Sequence, residues 1–414
     1  MSSLALPVET LAATMWQSFL VGDFKKTKVL LKDLLRVRPN HARARTIQAV
    51  MAWREGDVGL ALDLCTRAVK SDPQDLEALR VAARTHMEFG RESEALGFYA
   101  QAEALSPGLD TTIDHSLALL AAGHWAKGWE LYQARVPREI EVFRETYGAK
   151  DQAITIHKPE WQGQPTPALL VLPEAGFGDA IQFSRYFSEF PARARVWTRK
   201  GLKRLFQNWF EATGLDHEVL TEGPMPSHSA WTFTMSAPWA LASPVPSGAP
   251  YLGPGIIPAP VPSRAGRPAV GVVWGGSPLA PRDRLRSLPG ELLGRLLSCD
   301  LVDWHVLQQG PYLGLLRPWE ALANVHTHNL SDFLSTAEII ASLDLVVTVD
   351  TSVAHLAGAM GKPTWVMLST TPDFRYPGRE PTPPWYGSLR LFRQPTPGNW
   401  APVVEAVLDS IEAL

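Results

Sequence analysis

Cysteine is almost absent: the 414-residue chain holds only Cys65 and Cys299. Each lies in or beside an apolar segment with no Cys or His at ligand spacing, so neither a disulfide framework nor a zinc site is indicated. An excess of positive charge is also missing. A formal net charge of −3 argues against a duplex nucleic-acid partner, which would need many phosphate contacts. The opening stretch MSSLALPVETLAATMWQSFL lacks a basic start followed by a long apolar run, and no later stretch reaches about 18 uncharged apolar residues. Membrane insertion is therefore not expected, and the protein is expected in the cytoplasm. Asp-x-Asp occurs nowhere, and no His, Asp or Glu cluster shows metal-ligand spacing. A site without metal or organic cofactor is expected.

What the chain does have is length enough for two or three domains and a repeat. Gly-Asp pairs at Gly22-Asp23 and Gly56-Asp57 are followed by Gly90 and Gly123, at spacings of 34, 34 and 33 residues. Pro39, Pro73 and Pro107 each come 17 residues after one of the first three glycines, where a second helix should have ended. This is the tetratricopeptide (TPR) period. The repeat interiors agree, with Ala61, Cys65 and Ala68 after Gly56 and Ala95, Tyr99 and Ala102 after Gly90, where small residues let paired helices approach closely. Thr27 and Leu34 fill those positions in the first unit and Gly128 and Arg135 in the last, as expected of irregular caps. The array is placed at residues 8–136, followed by a connector over 137–165. Its concave groove suits a protein partner, although a scaffold role for so few repeats stays open.

Beyond the connector the pattern becomes βαβ. ALLVL (168–172) reads as a buried strand, GFGDAIQFSRYFSEF as turn and helix, and ARVWT as the next strand. A second series starts at AVGVVW (269–274) and runs through VDWHVL, the helix SDFLSTAEIIASL, the strand DLVVTV, the helix TSVAHLAGAMG and the strand PTWVMLS. Two parallel, doubly wound lobes are expected over 166–245 and 266–414. The Pro/Gly-rich stretch 246–265 between them reads as an interlobe linker. Ligands of such sheets bind beyond the carboxyl ends of the strands, so facing lobes would place a site in the cleft.

Three strings at those strand ends carry chemistry. In the first, Asp350-Thr351-Ser352 follows a buried strand and opens a helix bearing His355. Asp350 or Thr351 can cap that helix, and its first free amides can cradle a phosphate. Capping alone would explain both residues, and His355 would equally serve as a core histidine. The second is the glycine-rich loop Glu174-Ala175-Gly176-Phe177-Gly178-Asp179, followed by Gln182, where glycines let backbone approach a ligand. A dinucleotide fold is disfavoured here, because Ile181 replaces the third glycine and no acid ends the ARVWT strand. In the third, Trp274-Gly275-Gly276-Ser277-Pro278 closes a strand ahead of Arg282, Arg284 and Arg286, which either meet phosphate or form a solvated basic turn.

The Asp350 segment resembles the donor-binding motif of the heptosyltransferase-like glycosyltransferases (family 9, GT-B fold), and more closely bacterial proteins that join TPR repeats to such a domain. The resemblance covers essentially the whole chain, with high specificity across 168–190, 269–289 and 330–396. It implies a TPR α-solenoid followed by two Rossmann-like lobes. It also implies inverting, metal-free transfer of a sugar from a nucleotide donor to a hydroxyl. By the same resemblance Asp179 is the base, although capping its helix would also account for it. Glu174, Gly176, Gly178 and Gln182 form the acceptor-side loop. Trp274, Gly275, Gly276, Ser277, Arg286, Gln308, Asp350, Thr351, Ser352 and His355 face the donor, with Arg286 where heptosyltransferases carry a phosphate-binding lysine. Asp332-Phe333 also matches a family position near the nucleotide. Many relatives have Gln where Ala175 stands. The strings at 372–376, 385–386 and 391–394 follow the TPR fusions without individual roles. The last helix, from about Pro402 to Leu414, is expected to cross back onto the first lobe. Some of those fusions glycosylate flagellin, which makes a flagellin Ser or Thr the acceptor expected by analogy and a nonulosonic acid from a CMP ester a candidate donor. The alternatives are a non-catalytic scaffold and a transferase for lipopolysaccharide or another surface polysaccharide.

Overall fold

The computed structural model describes residues 7–55, 57–147, 158–191, 193–245, 248–278, 283–370, 373–378, 380–396 and 398–414. The chain folds as two compact units that divide between Ala118 and Leu119.

In the first unit α1 (Val8–Leu20) pairs with α2 (Phe24–Val37), α3 (Ala42–Glu55) with α4 (Val58–Ser71), and α5 (Leu76–Glu88) with α6 (Glu92–Leu105), and most of α7 (Leu109–Ala121) follows. The sequence beat now has a mechanism. Gly22 and Gly90 take φ of +76° and +64°, the left-handed conformation that ends a helix at little cost in glycine. Their successors' amides turn back, Asp23 N–H to Ser18 O at 2.9 Å and Arg91 N–H to His86 O at 3.0 Å. Asp23 and Asp57 then cap the second helices, accepting from the amides of Lys26 and Leu60, each cap contributing roughly 1 kcal/mol. The prolines fall two residues beyond the ends of α2, α4 and α6. Thr27, Leu34, Ala61, Cys65, Ala68, Ala95 and Ala102 are fully buried, so the small-residue positions are the contacts between paired helices. Gly56 lies outside the described residues.

The second unit begins with α8 (Trp125–Tyr132) and α9 (Val136–Tyr147) and continues into two parallel sheets. The first contains β1 (Leu169–Leu172), β2 (Arg195–Trp197), β3 (Glu218–Leu220) and β4 (Ala230–Phe233) in the order β3-β2-β1-β4, with α10 (Phe177–Phe183), α11 (Lys203–Thr213) and α12 (Ala237–Ala240). The second contains β5 (Ala269–Val273), β6 (Asp303–Val306), β7 (Val325–Thr327), β8 (Leu345–Val349), β9 (Thr364–Leu368) and β10 (Leu389–Arg393) in the order β10-β9-β8-β5-β6-β7. Its helices are α13 (Asp283–Arg286), α14 (Gly290–Leu297), α15 (Phe333–Ser342), α16 (Ser352–Ala359) and α17 (Ala401–Glu412). An α-solenoid followed by two parallel α/β lobes is the expected fold class. The two central strands of the second sheet, β5 and β8, are buried at every residue, as a sheet covered on both faces requires.

Two expectations meet a different arrangement. The last helix does not cross to the first lobe. Val403, Val404, Val407, Leu408 and Ile411 of α17 are buried in the second lobe's core with Val270, Trp304 and Trp365, because one continuous apolar stripe satisfies the helix where it starts. Against an array expected over 8–136, the helix after Gly123 packs with the α/β lobes. Trp129 of α8, 1% exposed, meets Phe183, Phe374 and Trp385 edge-on. Arg135, assigned to a small-residue position, instead makes a buried two-pronged ion pair with Glu174 at 2.7 and 2.8 Å. The stretch expected as a linker has no helix or strand over 248–268, yet it is well tied. The amides of Tyr251 and Leu252 donate to Ala359 O, and the Tyr251 hydroxyl donates to Ile181 O at 2.8 Å.

Candidate active site

Strand order locates the site before any side chain is considered. In the second sheet the chain runs outward through β5, β6 and β7, then returns to build β8, β9 and β10 on the other side of β5. The crevice beyond the carboxyl ends of β5 and β8 is the topological switch point, where open α/β sheets bind ligands. Trp274-Gly275-Gly276 leaves β5 there and Asp350-Thr351-Ser352 leaves β8. In the first sheet the equivalent point lies between β1 and β4, and the Glu174–Asp179 loop leaves β1 there.

That loop is held from both ends. Glu174, 7% exposed, pairs with Arg135 and accepts the Met235 amide at 2.7 Å, so it anchors the loop to β4 and to the segment after α8. Ala175 takes φ +52°, a strained value for a residue with a Cβ, and its carbonyl accepts from Arg199. Asp179 stands in the first turn of α10. One carboxylate oxygen accepts the Gly176 amide at 2.7 Å, which is the helix-capping bond, and the other accepts from Arg375. Capping and a cleft role therefore coexist in one side chain. Gly178 is needed for contact rather than for turning, because a Cβ there would lie 2.8 Å from His355 Cδ2 and 3.5 Å from Ser352 Cα. The first turns of α10 and α16 meet at that point, one from each lobe.

Across the contact, no side chain caps α16: Thr351 occupies the N-cap position, and its hydroxyl bonds with that of Thr348 at 3.1 Å. Asp350 accepts from the Tyr376 hydroxyl at 3.2 Å. Enclosure by protein, then the neighbouring Asp373 charge, push its carboxyl up to about 6, against the opposing pull of Arg286, Arg375 and the Tyr376 hydroxyl. His355 is 5% exposed, with Nδ1 3.1 Å from the Tyr386 hydroxyl. Burial, aided by Arg375, Arg185 and Arg286, holds it well below the usual histidine range and therefore neutral.

The β5 turn is braced by hydrogen bonds to Gln308 and Tyr312. The Trp274 side chain is buried and its indole N–H donates to Tyr312 O at 3.0 Å. Gln308 accepts the amides of Trp274 and Gly275 at 3.1 and 2.8 Å and donates to Gly275 O, so its amide is committed to holding the turn. Buried Asp283 binds the Arg286 Nε–H at 3.0 Å and accepts from the hydroxyls of Ser287 and Tyr312. A Cβ on Gly276 would strike Arg286 and Asp283 at 2.7 Å, so this glycine lets the guanidinium lie against the backbone. Ser277 is exposed. Arg282 lies outside the described residues.

The residue that joins these parts is Arg375, for which sequence patterning gave no role. Its side chain is only 8% exposed. It donates to Asp179, Gln182 and Asp373, and its guanidinium carbon lies 4.3 Å from the Phe374 ring centroid. Burial alone would favour the neutral form; the carboxylates of Asp373, Asp179 and Asp350 prevail and raise its pKa. Consecutive residues thus hold two carboxylates, Arg375 reaching Asp179 across the cleft and Tyr376 reaching Asp350 within its own lobe. Further contacts close it: Phe177 against Phe333, with ring centroids 4.9 Å apart, Arg204 with Asp332 at 2.9 Å, and Arg185 with Trp385 O at 2.9 Å. Asp332 also caps α15 through the Ser335 amide. The 372–376 string marked this region, but its Arg and Asp meaning is set by folding, and Pro372 lies outside the described residues. Among the described residues no group of three or more His, Cys, Asp or Glu is arranged to hold a metal ion.

Residues 28–75 and 66–110 match the tetratricopeptide repeat family model. Residues 330–395 match glycosyltransferase family 9 (heptosyltransferase). The chain joins tetratricopeptide repeats to a glycosyltransferase domain. Protein FlbA of Caulobacter vibrioides is 22% identical over 454 residues, an alignment spanning 98% of this chain and 68% of that protein. Among solved structures, a mutant of Thermobaculum terrenum O-GlcNAc transferase aligns over 90% of this chain and 84% of its own at 13% identity and a TM-score of 0.35. MamA aligns over 33% of this chain and 80% of its own at 18% identity and a TM-score of 0.28. The family 9 match in this glycosyltransferase begins just before α15 and ends after β10, so it contains Asp350, His355, Arg375 and Tyr376. The Asp179 loop and Arg286 lie outside it.

One cavity of the glycosyltransferase domain, of about 370 Å³, opens at the carboxyl ends of β6 and β7 and is lined by Gln309, Leu313, Arg317, Glu320 and His328 among others. It adjoins the β5 turn through Gln308. No helix among the described residues is long and apolar enough to cross a membrane.

Proposed function

We propose that the domain is an inverting transferase that moves a sugar from a nucleotide donor to an acceptor hydroxyl without metal. The observation that carries this reading is the pairing of two carboxylates from opposite lobes, Asp179 and Asp350, through the adjacent residues Arg375 and Tyr376. The donor's phosphates lie against the uncapped amides of α16 and Arg286, donors fixed where charge develops on the leaving group. The nucleoside points toward the cavity beyond β6 and β7. Asp179 takes the acceptor proton, the acceptor oxygen attacks the anomeric carbon from the side opposite the nucleotide, and the bond to phosphate breaks with its electrons on the leaving oxygen.

The TPR array supports a protein acceptor held in its groove, with a Ser or Thr hydroxyl of flagellin and a nonulosonic acid from a CMP donor as the specific candidates. Calorimetric titration with UDP, GDP, CMP and dTDP species in EDTA tests the donor half of the reading, and binding that appears only with added Mg²⁺ or Mn²⁺ overturns the metal-free part. Intact-mass spectrometry of candidate acceptors co-expressed with and without the protein tests the acceptor half. Unchanged masses for every protein acceptor, with turnover of a nucleotide sugar on lipopolysaccharide, would move the activity to surface polysaccharide. A domain that binds no nucleotide at all would be a scaffold.

A further inference from the structure

We propose that Arg375 is the positioning residue that aims Asp179 at the acceptor hydroxyl, with Asp373 as its permanent counter-charge. This rests on the transferase reading above and goes beyond it by assigning a residue that acts through the base. The Arg375 guanidinium is buried against Phe374 and donates to Asp179 from the opposite lobe, while Asp373 binds another of its nitrogens. A carboxylate offers about four acceptor positions, and Asp179 uses one for the Gly176 amide and one for Arg375, leaving others for a proton. When Asp179 receives the acceptor's proton its charge is lost, and a guanidinium with no other partner would be stranded in a buried site. Asp373 prevents that, because the Arg375–Asp373 pair stays neutral before and after transfer. Gln182 completes the arrangement. Its side-chain oxygen accepts from Arg375, while its amide nitrogen is buried without a partner. Charge-assisted, directional contacts of this kind fix geometry as well as charge, and small misplacements of a reacting group cost on the order of 10²-fold in rate.

The test is steady-state transfer by full-length Arg375→Ala and Arg375→Lys, with whichever nucleotide sugar the wild type turns over. Affinity for the corresponding free nucleotide is measured alongside. The expected result is a kcat lowered on the order of 10²-fold in Arg375→Ala, with KM and nucleotide affinity within a few-fold of wild type, an intermediate loss in Arg375→Lys, and partial recovery of Arg375→Ala by millimolar guanidinium or ethylguanidinium. A clamp that merely joins the lobes would not respond to a soluble guanidinium. Wild-type kcat in a folded Arg375→Ala overturns the proposal, as does a loss that no guanidinium or lysine recovers and that tracks a fall in melting temperature. A wild-type protein that turns over no nucleotide sugar overturns the transferase reading itself, and this inference with it.

Discussion

Asp350→Asn should make the ligand-free protein more stable at neutral pH, although the residue removed lies in the proposed donor site. The carboxyl is enclosed, faces Asp373, and is pushed from 3.8 up to about 6. Between about pH 4 and 6 the native state therefore binds more protons here than the unfolded chain does, so this group's contribution to stability falls as pH rises through that window and its penalty is complete above about pH 7. At about 1.4 kcal/mol for each pKa unit the full penalty is at most about 3 kcal/mol. Water reaches part of the side chain, so about 1–3 kcal/mol is expected. Asparagine keeps an oxygen for the Tyr376 hydroxyl and does not titrate. Urea unfolding followed by tryptophan fluorescence at pH 4.5, 6 and 7.5 should show a small difference between the two proteins in acid that widens to about 1–3 kcal/mol in favour of the variant at pH 7.5. A variant equally stable at every pH, or less stable at pH 7.5, would refute the reasoning that burial and Asp373 disfavour the charged Asp350 carboxylate. In the same variant the affinity for the donor nucleotide should fall.

Asp179→Asn should abolish most transfer, by about 10²- to 10⁴-fold, while preserving the Gly176 cap and nucleotide affinity; wild-type single-turnover rates would make Asp179 a cap alone. Gly178→Ala forces a Cβ to within 2.8 Å of His355, and the overpacking should cost about 1–3 kcal/mol and separate the lobes, detected as a lower melting temperature and a larger radius of gyration in solution scattering. Arg135→Met strands buried Glu174 and should cost about 3–5 kcal/mol, whereas Arg135→Met with Glu174→Leu should cost much less; denaturant midpoints showing the two losses simply adding would contradict the pair's burial.

Repeats and strands were legible because each is a local signal. The 34-residue beat is written by glycines that need positive φ and aspartates that cap the next helix, and LLVL or LVVTV reads as a buried strand without knowledge of neighbours. The strand-end loops were legible for the same reason, since topology alone sends them to the crevice. Arg375 and Tyr376 were not readable as individuals, because their partners lie far along the chain, 196 positions away for Arg375 with Asp179 and 26 for Tyr376 with Asp350. Gln308 and Glu174 show the converse difficulty. A polar residue at a strand end looks like a ligand contact, yet burial turned one into a brace for the Trp274-Gly275 amides and the other into the partner of Arg135. The last helix was misplaced because its apolar stripe fits any apolar surface, and only packing chose the sheet beside it.

The attachment of α8 to the glycosyltransferase domain bears on how such proteins diversify. A recombination event that replaced the whole periodic region through residue 136 would remove Trp129 and Arg135, baring Phe183, Phe374 and Trp385 and leaving Glu174 with a buried, unanswered charge. Exchange of the units ahead of α7 would spare all of these. The periodic part of the chain therefore ends in a helix that must be inherited with the α/β lobes it packs on, even though it keeps the sequence rhythm of the repeats ahead of it.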